Sequence, residues 1–238
     1  MEAPISEIFC SVQGEGPYVG SRQVFVRFTG CNLDCPYCDT PCDETSSCKF
    51  EEVPGSGMFT DVTNSISVEK LSEMVSSFKK VHSVSLTGGE PLLNADFISE
   101  LELEYPLYLE SNMTLPDMAR KVKDKISYVS GDVKLLPRSS VDNFELHIEN
   151  TIECFRILQA TNDRDCFAKI VVSKDTNAED IESVIGDISG YISCLVLQPV
   201  TQKELLPNPN YLLELQEKLL DYVDTIIIPQ THVMWGCL

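Results

Sequence analysis

Three cysteines lie close together in the stretch GCNLDCPYCDT. Cys31, Cys35 and Cys38 have the spacing Cys-x3-Cys-x2-Cys, and the Asn, Asp and Pro residues between them favour turns that gather the thiols at one point. Three thiolates hold three corners of a cubane iron–sulfur cluster and leave one iron open, whereas a structural zinc site needs four ligands. The spacing favours a [4Fe–4S] cluster; the alternative is a zinc site completed by Cys42 or Cys48.

The composition limits the classes of partner. The 238 residues carry a formal net charge of -19, and such a chain repels phosphate backbones, so we expect no direct binding to nucleic acid. No apolar run approaches the roughly 20 residues that cross a bilayer, and the N-terminus has no basic segment followed by an apolar stretch. We therefore expect a cytoplasmic protein that contacts no membrane.

The chain has ten cysteines, which in a reducing cytosol favour metal or redox chemistry over disulfides. Five cysteines lie scattered along the sequence, mostly beside apolar residues, and we interpret them as small buried hydrophobic side chains. These are Cys10, Cys154, Cys166, Cys194 and Cys237.

Seven short apolar runs predict buried strands. They are rich in β-branched residues and nearly continuously apolar, which is typical of strands covered on both faces. The runs are VFVRF (24–28), VHSVSL (81–86), LYLE (107–110), ISYVS (126–130), FAKIVVS (167–173), SCLVL (193–197) and TIIIP (225–229).

Amphipathic stretches between these runs predict helices. In SVEKLSEMVSSFKK (67–80), apolar residues recur at intervals of three and four and form one helical face. Asn94 and Asn177 are placed to cap the helices that follow them, and Pro116 suits a first helical turn. NYLLELQEKLLDYV (210–223) supplies a further helix.

The alternation of strands and helices indicates parallel βαβ units. Seven strand candidates are too few for eight units, so we predict a single α/β domain over residues 1–238, built as a partial TIM-like (β/α) barrel of about six parallel strands. A doubly wound sheet is the alternative. Residues 41–65 carry few core signals and are expected to form a long loop or insertion.

Polar or glycine-rich motifs follow most of the apolar runs. They are TGGEP at 87, ESN at 110, GDVK at 131, QPVT at 198 and QTH at 230. The carboxyl ends of barrel strands converge on one mouth. The pattern therefore predicts one active site assembled at that mouth.

The cysteine motif, the aromatic residue before its last cysteine and the GGEP about fifty residues later resemble the radical S-adenosylmethionine (SAM) superfamily. The opening block EIFCSVQGEGPYVGSRQVFVRFTGCNLDCPYCDT resembles the 7-carboxy-7-deazaguanine synthases, and TGGEPLL, LESN, AKIVV, LQPVT and IPQTH follow in that family's order. The resemblance covers nearly the whole chain. It is best to archaeal-type members, which carry PGSG in the insertion.

The resemblance implies a carbon–nitrogen lyase that converts 6-carboxy-5,6,7,8-tetrahydropterin into 7-carboxy-7-deazaguanine with loss of ammonia, in 7-deazapurine biosynthesis of the queuosine or archaeosine type. It implies a radical SAM core, a [4Fe–4S] cluster, SAM and Mg²⁺ as cofactors, an electron donor that the sequence does not identify, and a homodimer. The alternatives are a radical SAM activase that acts on a partner protein, and a zinc-binding interaction module without catalysis.

The resemblance also implies roles for individual residues. Cys31, Cys35 and Cys38 would hold the cluster, and Thr40 would contact Mg²⁺, a hard cation that prefers oxygen. The residues expected to contact SAM are Tyr37, Cys38, Asp39, Gly89, Glu110, Ser111, Asp132, Lys134, Gln198 and Pro199. The residues expected to contact the substrate are Val12, Gln13, Gly14, Arg27, Thr87, Gln230 and His232.

The chain departs from the family's pattern in two places. It has ESNMT (110–114) where bacterial members have ETSGT or similar, and DVK (132–134) where they have SPK. These departures bear on the contacts expected at 111–114 and 132–134. Cys42 and Cys48 are not part of the shared pattern, and we interpret them as free or buried thiols, with an auxiliary cluster as the alternative.

Overall fold

Strands and helices alternate along most of the chain. The structure, a computed structural model, describes residues 1–35, 38, 43, 45–135 and 143–237, and of Trp235 only the backbone. The strands are β1 (Glu2–Ala3), β2 (Ile5–Val12), β3 (Arg22–Phe28), β4 (Ser47–Phe50), β5 (Thr60–Thr63), β6 (Ile66–Ser67), β7 (Ser83–Gly88), β8 (Leu107–Ser111), β9 (Ile126–Asp132), β10 (Asp165–Val172), β11 (Leu195–Pro199) and β12 (Thr225–Ile227). The helices are α1 (Val68–Ser77), α2 (Ala95–Ser99), α3 (Pro116–Val122), α4 (Phe144–Ile157), α5 (Ala178–Ile188), α6 (Pro209–Leu219) and α7 (His232–Trp235).

Ten of these strands form one sheet in the order β12-β11-β10-β9-β8-β7-β3-β2-β4-β5. β3 and β7 to β12 run parallel to one another, which confirms the α/β class and gives seven parallel strands where about six were expected. β2 is antiparallel to β3, β4 is parallel to β2, and β5 is antiparallel to β4. Each of the seven predicted runs overlaps one of the parallel strands.

Local signals account for most helix starts. Ser67 caps α1 by accepting a hydrogen bond from the backbone N–H of Lys70. Asn177 caps α5 and Pro116 begins α3, as predicted. The prediction that Asn94 caps α2 is wrong, because its side chain makes no capping hydrogen bond and the chain enters α2 directly from a 3₁₀ turn.

The expectation of a long loop over residues 41–65 is wrong where β4 and β5 extend the sheet. In β4, Cys48 and Phe50 are buried and the intervening Lys49 is exposed, which is the alternation of a strand with one covered face. Phe50 packs edge-on against Phe78 at 5.8 Å between ring centroids. Four residues of alternation are too short a pattern to stand out in a sequence.

The interior enclosed by the curved sheet is filled by a second apolar cluster. Tyr108, Phe167 and Val196 point into it, and Tyr18, from the turn after β2, packs edge-on against Tyr108 at 5.8 Å. The hydroxyl of Tyr18 donates to the carboxylate of Asp165 at 2.6 Å. Because Asp165 begins β10, the turn closes the interior at the amino ends of the strands and leaves it open at their carboxyl ends.

The outer face of the sheet packs against the helices in one large apolar core. Four of the scattered cysteines are buried in this core or in the interior cluster, as expected, whereas Cys237 is exposed near the C-terminus and that expectation is wrong. Among the described residues, no helix is both long and apolar enough to traverse a bilayer.

Candidate active site

A cavity of about 490 Å³ lies at the carboxyl ends of the parallel strands. Strand ends from β3 to β11, the loop after β2 and the C-terminal segment all contribute to its walls. Every described residue that the sequence predicted for the site lines this cavity. These residues are Val12, Gln13, Gly14, Arg27, Cys31, Cys35, Cys38, Thr87, Gly89, Glu110, Ser111, Asp132, Lys134, Gln198, Pro199, Gln230 and His232.

Three predicted residues, Tyr37, Asp39 and Thr40, lie outside the described residues, as does Cys42. Cys48 is fully buried in β4 and does not line the cavity, so it is not placed as a fourth ligand beside the three cysteines of the motif.

The three cysteines form one wall of the cavity. The thiols of Cys31 and Cys35 are half-buried, and Cys38 is exposed. The backbone N–H of Cys38 donates to the carbonyl of Cys35 at 3.0 Å, which keeps these two residues close together. Burial raises the pKa of the Cys31 and Cys35 thiols. Among the described residues, no group of three or more His, Cys, Asp or Glu side chains is arranged so that it could bind a single metal ion.

Gly88 and Gly89 bring the end of β7 against the cysteine loop. A Cβ atom at Gly88, whose φ is +117°, would lie 2.2 Å from the carbonyl oxygen of Phe28, and one at Gly89 would lie 1.8 Å from that of Gly30. The N–H of Glu90 donates to the same Gly30 oxygen at 2.9 Å. The resemblance implied that Gly89 contacts SAM; in the structure, Gly88 and Gly89 admit the backbone of the loop that carries Cys31.

Glu110 is the centre of a hydrogen-bonded group in the cavity wall. Its carboxylate accepts from Ser85 at 2.8 Å, from the Gln13 side chain at 3.0 Å and from Thr87 at 3.3 Å. The same nitrogen of Gln13 donates to the buried Gln23 at 3.0 Å. Glu110 was expected among the SAM contacts, and the structure groups it with two residues expected to contact the substrate.

Arg27 points into the cavity. Its Nε donates to Glu7 at 2.5 Å, and its guanidinium carbon lies 5.8 Å from the centroid of the Phe9 ring. About a quarter of its side chain is exposed. This cation at the end of β3 has the planar shape that pairs with a carboxylate.

A buried charge network, which the sequence analysis missed, forms the floor of the cavity. Lys169, only 7% exposed, makes an ion pair with Glu15, and its Nζ lies 3.2 Å from Asp132. Lys134 donates to the other oxygen of Asp132 at 2.8 Å. Burial alone would raise the pKa of both carboxyls, but the lysines outweigh it and hold the pKa of Glu15 and of Asp132 below their ordinary values.

The C-terminal segment packs over the loop after β2. Gln230 donates to Glu15 at 2.7 Å, and the N–H of Thr231 donates to the carbonyl of Gly14 at 2.8 Å. A Cβ atom at Gly14 would lie 2.1 Å from Nδ1 of His232. Glycine is therefore required at position 14 to let His232 reach the cavity wall.

Two further buried groups border the cysteine side. Glu90 is fully buried and accepts from Ser111, from the N–H of Asn112 and from the N–H of Leu92; burial nevertheless raises its pKa to about 7. Gln198 is 4% exposed, and none of the described residues donates to its Oε1. A buried amide oxygen without a protein donor at a cavity wall is suited to an N–H group of a ligand.

Comparisons with known proteins agree with this geometry. A family model described as "Radical SAM superfamily" matches residues 25–188. The chain is 41% identical over 236 residues to the 7-carboxy-7-deazaguanine synthase of Archaeoglobus fulgidus, covering 99% of each protein, and 36% identical over 253 residues to that of Geobacter sulfurreducens, covering 99% of this chain and 98% of the relative. The fold is similar to the crystal structure of QueE from Escherichia coli, at a TM-score of 0.60 and 20% identity over 98% of this chain and 95% of that one.

Proposed function

Because the chain belongs to the 7-carboxy-7-deazaguanine synthases of the radical SAM superfamily, we propose that it converts 6-carboxy-5,6,7,8-tetrahydropterin into 7-carboxy-7-deazaguanine with loss of ammonia. It is a radical SAM enzyme of 7-deazapurine biosynthesis. The observation that carries the proposal is one cavity of about 490 Å³ that is lined by the three motif cysteines together with Arg27, Glu110 and Gln198.

The donor set fits a [4Fe–4S] cluster. Cys31, Cys35 and Cys38 offer three sulfur ligands from one short loop, and the described part of the cavity wall adds no fourth cysteine. The bound cluster and SAM supply the 5′-deoxyadenosyl radical that starts the reaction. The contribution of this chain is to gather the three thiols in one short loop at the cavity wall.

The residues beside the cysteines fit SAM. Gly89 places backbone next to the cysteine loop, and the unpartnered Oε1 of Gln198 would accept an N–H of the adenine amino group. Pro199 follows at the same strand end. Lys134 donates a hydrogen bond to Asp132, and this paired anion and cation would contact the polar groups of the cofactor. Ser111 is already bonded to Glu90, so its contribution is to shape the wall.

The residues around Arg27 and Glu110 fit the pterin. The guanidinium of Arg27 would pair with the substrate carboxylate. The carboxylate of Glu110, held by Gln13 and Thr87, would accept the N–H groups of the aminopyrimidinone ring. The backbone of Val12, Gln13 and Gly14 would lie along the flat ring, with Gln230 and His232 above it.

The remaining expectations stand as part of this proposal. Thr40 would contact Mg²⁺ bound to the substrate carboxylate, and Tyr37 and Asp39 would lie along SAM. The enzyme would act as a cytoplasmic homodimer with an external electron donor. Substituting Thr40→Ala should weaken the stimulation of turnover by Mg²⁺, and an unchanged magnesium response would remove Thr40 from the site.

Anaerobic turnover tests the proposal. The protein, reconstituted with iron and sulfide, is given dithionite, SAM and 6-carboxytetrahydropterin, and 7-carboxy-7-deazaguanine is measured by mass spectrometry. We expect product from the wild type and at least a tenfold lower kcat/KM for Arg27→Met, because a charge-assisted bidentate contact is lost. An iron-loaded protein that leaves the pterin unchanged would contradict the proposal and point to a different substrate.

A further inference from the structure

An amide in the turn after β8 faces the cysteine loop. Asn112 is 6% exposed, and its Nδ2 donates to the side-chain oxygen of Asn32 at 2.9 Å. The same nitrogen lies 3.9 Å from Sγ of Cys31. The backbone N–H of Leu33 is a second donor to that sulfur, at 3.5 Å. A primary amide carries two N–H groups, so Asn112 has one for each acceptor.

A closed ring of hydrogen bonds fixes the direction of this amide. Asn32 donates to the hydroxyl of Thr114 at 2.8 Å, and Thr114 donates to Oδ1 of Asn112 at 2.6 Å. Reversing the Asn112 amide would bring its oxygen against the oxygen of Asn32 and against the sulfur of Cys31. The ring therefore directs the second N–H of Asn112 at Cys31.

The backbone of this turn is anchored independently. The fully buried carboxylate of Glu90 accepts from the N–H of Asn112 at 2.7 Å and from the hydroxyl of Ser111 at 2.8 Å. Met113 adopts a left-handed φ of +56°, and its side chain is fully buried in the core. Because a buried carboxylate and a buried side chain hold this turn, we expect the amide of Asn112 to stay in place when the cysteine loop binds a cluster.

We propose that Asn112 donates an N–H···S hydrogen bond to the cluster ligand Cys31 and thereby raises the reduction potential of the [4Fe–4S] cluster. The inference rests on the proposed function, since it needs a cluster on Cys31. Hydrogen bonds to ligand sulfurs stabilise the added negative charge of the reduced cluster. One electron passes from an external low-potential reductant, such as dithionite, to the cluster, and no bond of Asn112 forms or breaks. Asn112 is thus a positioning residue.

The test is a redox titration of the reconstituted holoenzyme, followed by the electron paramagnetic resonance (EPR) signal of the reduced cluster. Asn112→Leu removes both amide groups at similar volume, and Asn112→Asp keeps the oxygen that accepts from Thr114 while removing the donor. We expect both variants to retain the cluster and to reduce at a more negative potential. The expected change is up to about tenfold in the reduction equilibrium constant, equivalent to about 59 mV for one electron.

Two controls separate the hydrogen bond from other causes. Thr114→Val opens the ring but leaves the N–H groups of Asn112, so its shift should be smaller than that of Asn112→Leu. Asn162→Asp adds the same negative charge at an exposed position and should leave the potential unchanged. Activity with dithionite should fall in the Asn112 variants and recover with the stronger reductant titanium(III) citrate. A stronger reductant would not restore activity that was lost through a structural defect.

The outcomes are distinct. Clusters of unchanged potential in both Asn112 variants would overturn this inference and leave the proposed function intact. A shift in Asn162→Asp as large as that in Asn112→Asp would also overturn it, because the effect would then be one of net charge. If Asn112→Leu does not fold, Asn112→Ala, which removes the donor without adding a charge beside Cys31, decides. A wild-type protein that binds no iron under reconstitution would refute the proposed function and this inference together.

Discussion

Replacing Lys169 by methionine should destabilise the protein strongly, because the buried Lys169 is the cation between two partly buried carboxylates. Its Nζ pairs with Glu15 and lies 3.2 Å from Asp132, and only 7% of the residue is exposed. Methionine fills a similar volume without charge. The variant therefore leaves the packing largely intact and removes the charge that allows Glu15 and Asp132 to remain ionised inside the fold.

The size of the destabilisation depends on the hydrogen-bond partners that each carboxylate keeps in Lys169→Met. Removing one partner of a buried ion pair costs about 3–5 kcal/mol. Asp132 retains Lys134 at 2.8 Å and Glu15 retains Gln230 at 2.7 Å, so we expect the lower end of that range, about 3 kcal/mol. Lys121, which pairs with Asp96 on the surface, is the matched control; Lys121→Met should cost about 1 kcal/mol or less.

The pH dependence has a defined sign. Lys169 lowers the pKa of Glu15, and Lys134 together with Lys169 lowers that of Asp132, so the stabilisation by Lys169 is present above the unfolded pKa values and is lost as the pH falls through the folded ones. The difference in unfolding free energy between wild type and Lys169→Met should therefore be large at pH 7 and shrink below about pH 4. Urea unfolding of the metal-free proteins, followed by circular dichroism, measures it. A cost no larger than that of Lys121→Met would refute the reasoning.

Three further predictions test other parts of the site. Gly89→Ala should weaken SAM binding at least tenfold in equilibrium dialysis, because its Cβ would lie 1.8 Å from the carbonyl oxygen of Gly30. Gly190→Ala is the control: a Cβ atom there meets no other atom within 4 Å, so the SAM affinity should stay within twofold of the wild type. Burial raises the pKa of Glu90 to about 7 from 4.5, so the folded protein holds a proton that the unfolded chain releases, and stability should fall as the pH rises between these values. Glu90→Gln should lack this part of the pH dependence in urea titrations, and parallel profiles for the two proteins would contradict the assignment. Cys35→Ala should abolish cluster binding and turnover while keeping cooperative unfolding, since the side chain is half-buried; retained turnover would remove it from the ligand set.

The parallel part of the fold was predictable because its strands are buried on both faces. Such strands appear as continuous apolar runs, and parallel topology then places the motifs that follow them at one edge of the sheet. For this reason TGGEP, ESN, GDVK and QPVT, which are far apart in sequence, converge on the cavity as expected.

Other elements could not be predicted from the local sequence pattern. Helix α4 buries His147 and Thr151 along with Cys154 and Phe155, so polar residues on its inner face conceal the helical period. Lys169 lies inside the apolar run of β10, and its role depends on Glu15, which is distant in sequence and reaches it only through the folded loop after β2. The burial of Lys169 depends on its carboxylate partners, and only the folded chain brings those partners next to it.

The central claim is that three thiolates of one loop hold an iron–sulfur cluster with an open iron that SAM binds. EPR spectroscopy of the reconstituted, reduced protein, recorded before and after addition of SAM, tests it most directly. We expect about four irons per chain and a cluster signal whose g values change when SAM is added, because a ligand joins the open iron. A colourless protein that binds one zinc ion, or a cluster signal indifferent to SAM, would contradict it.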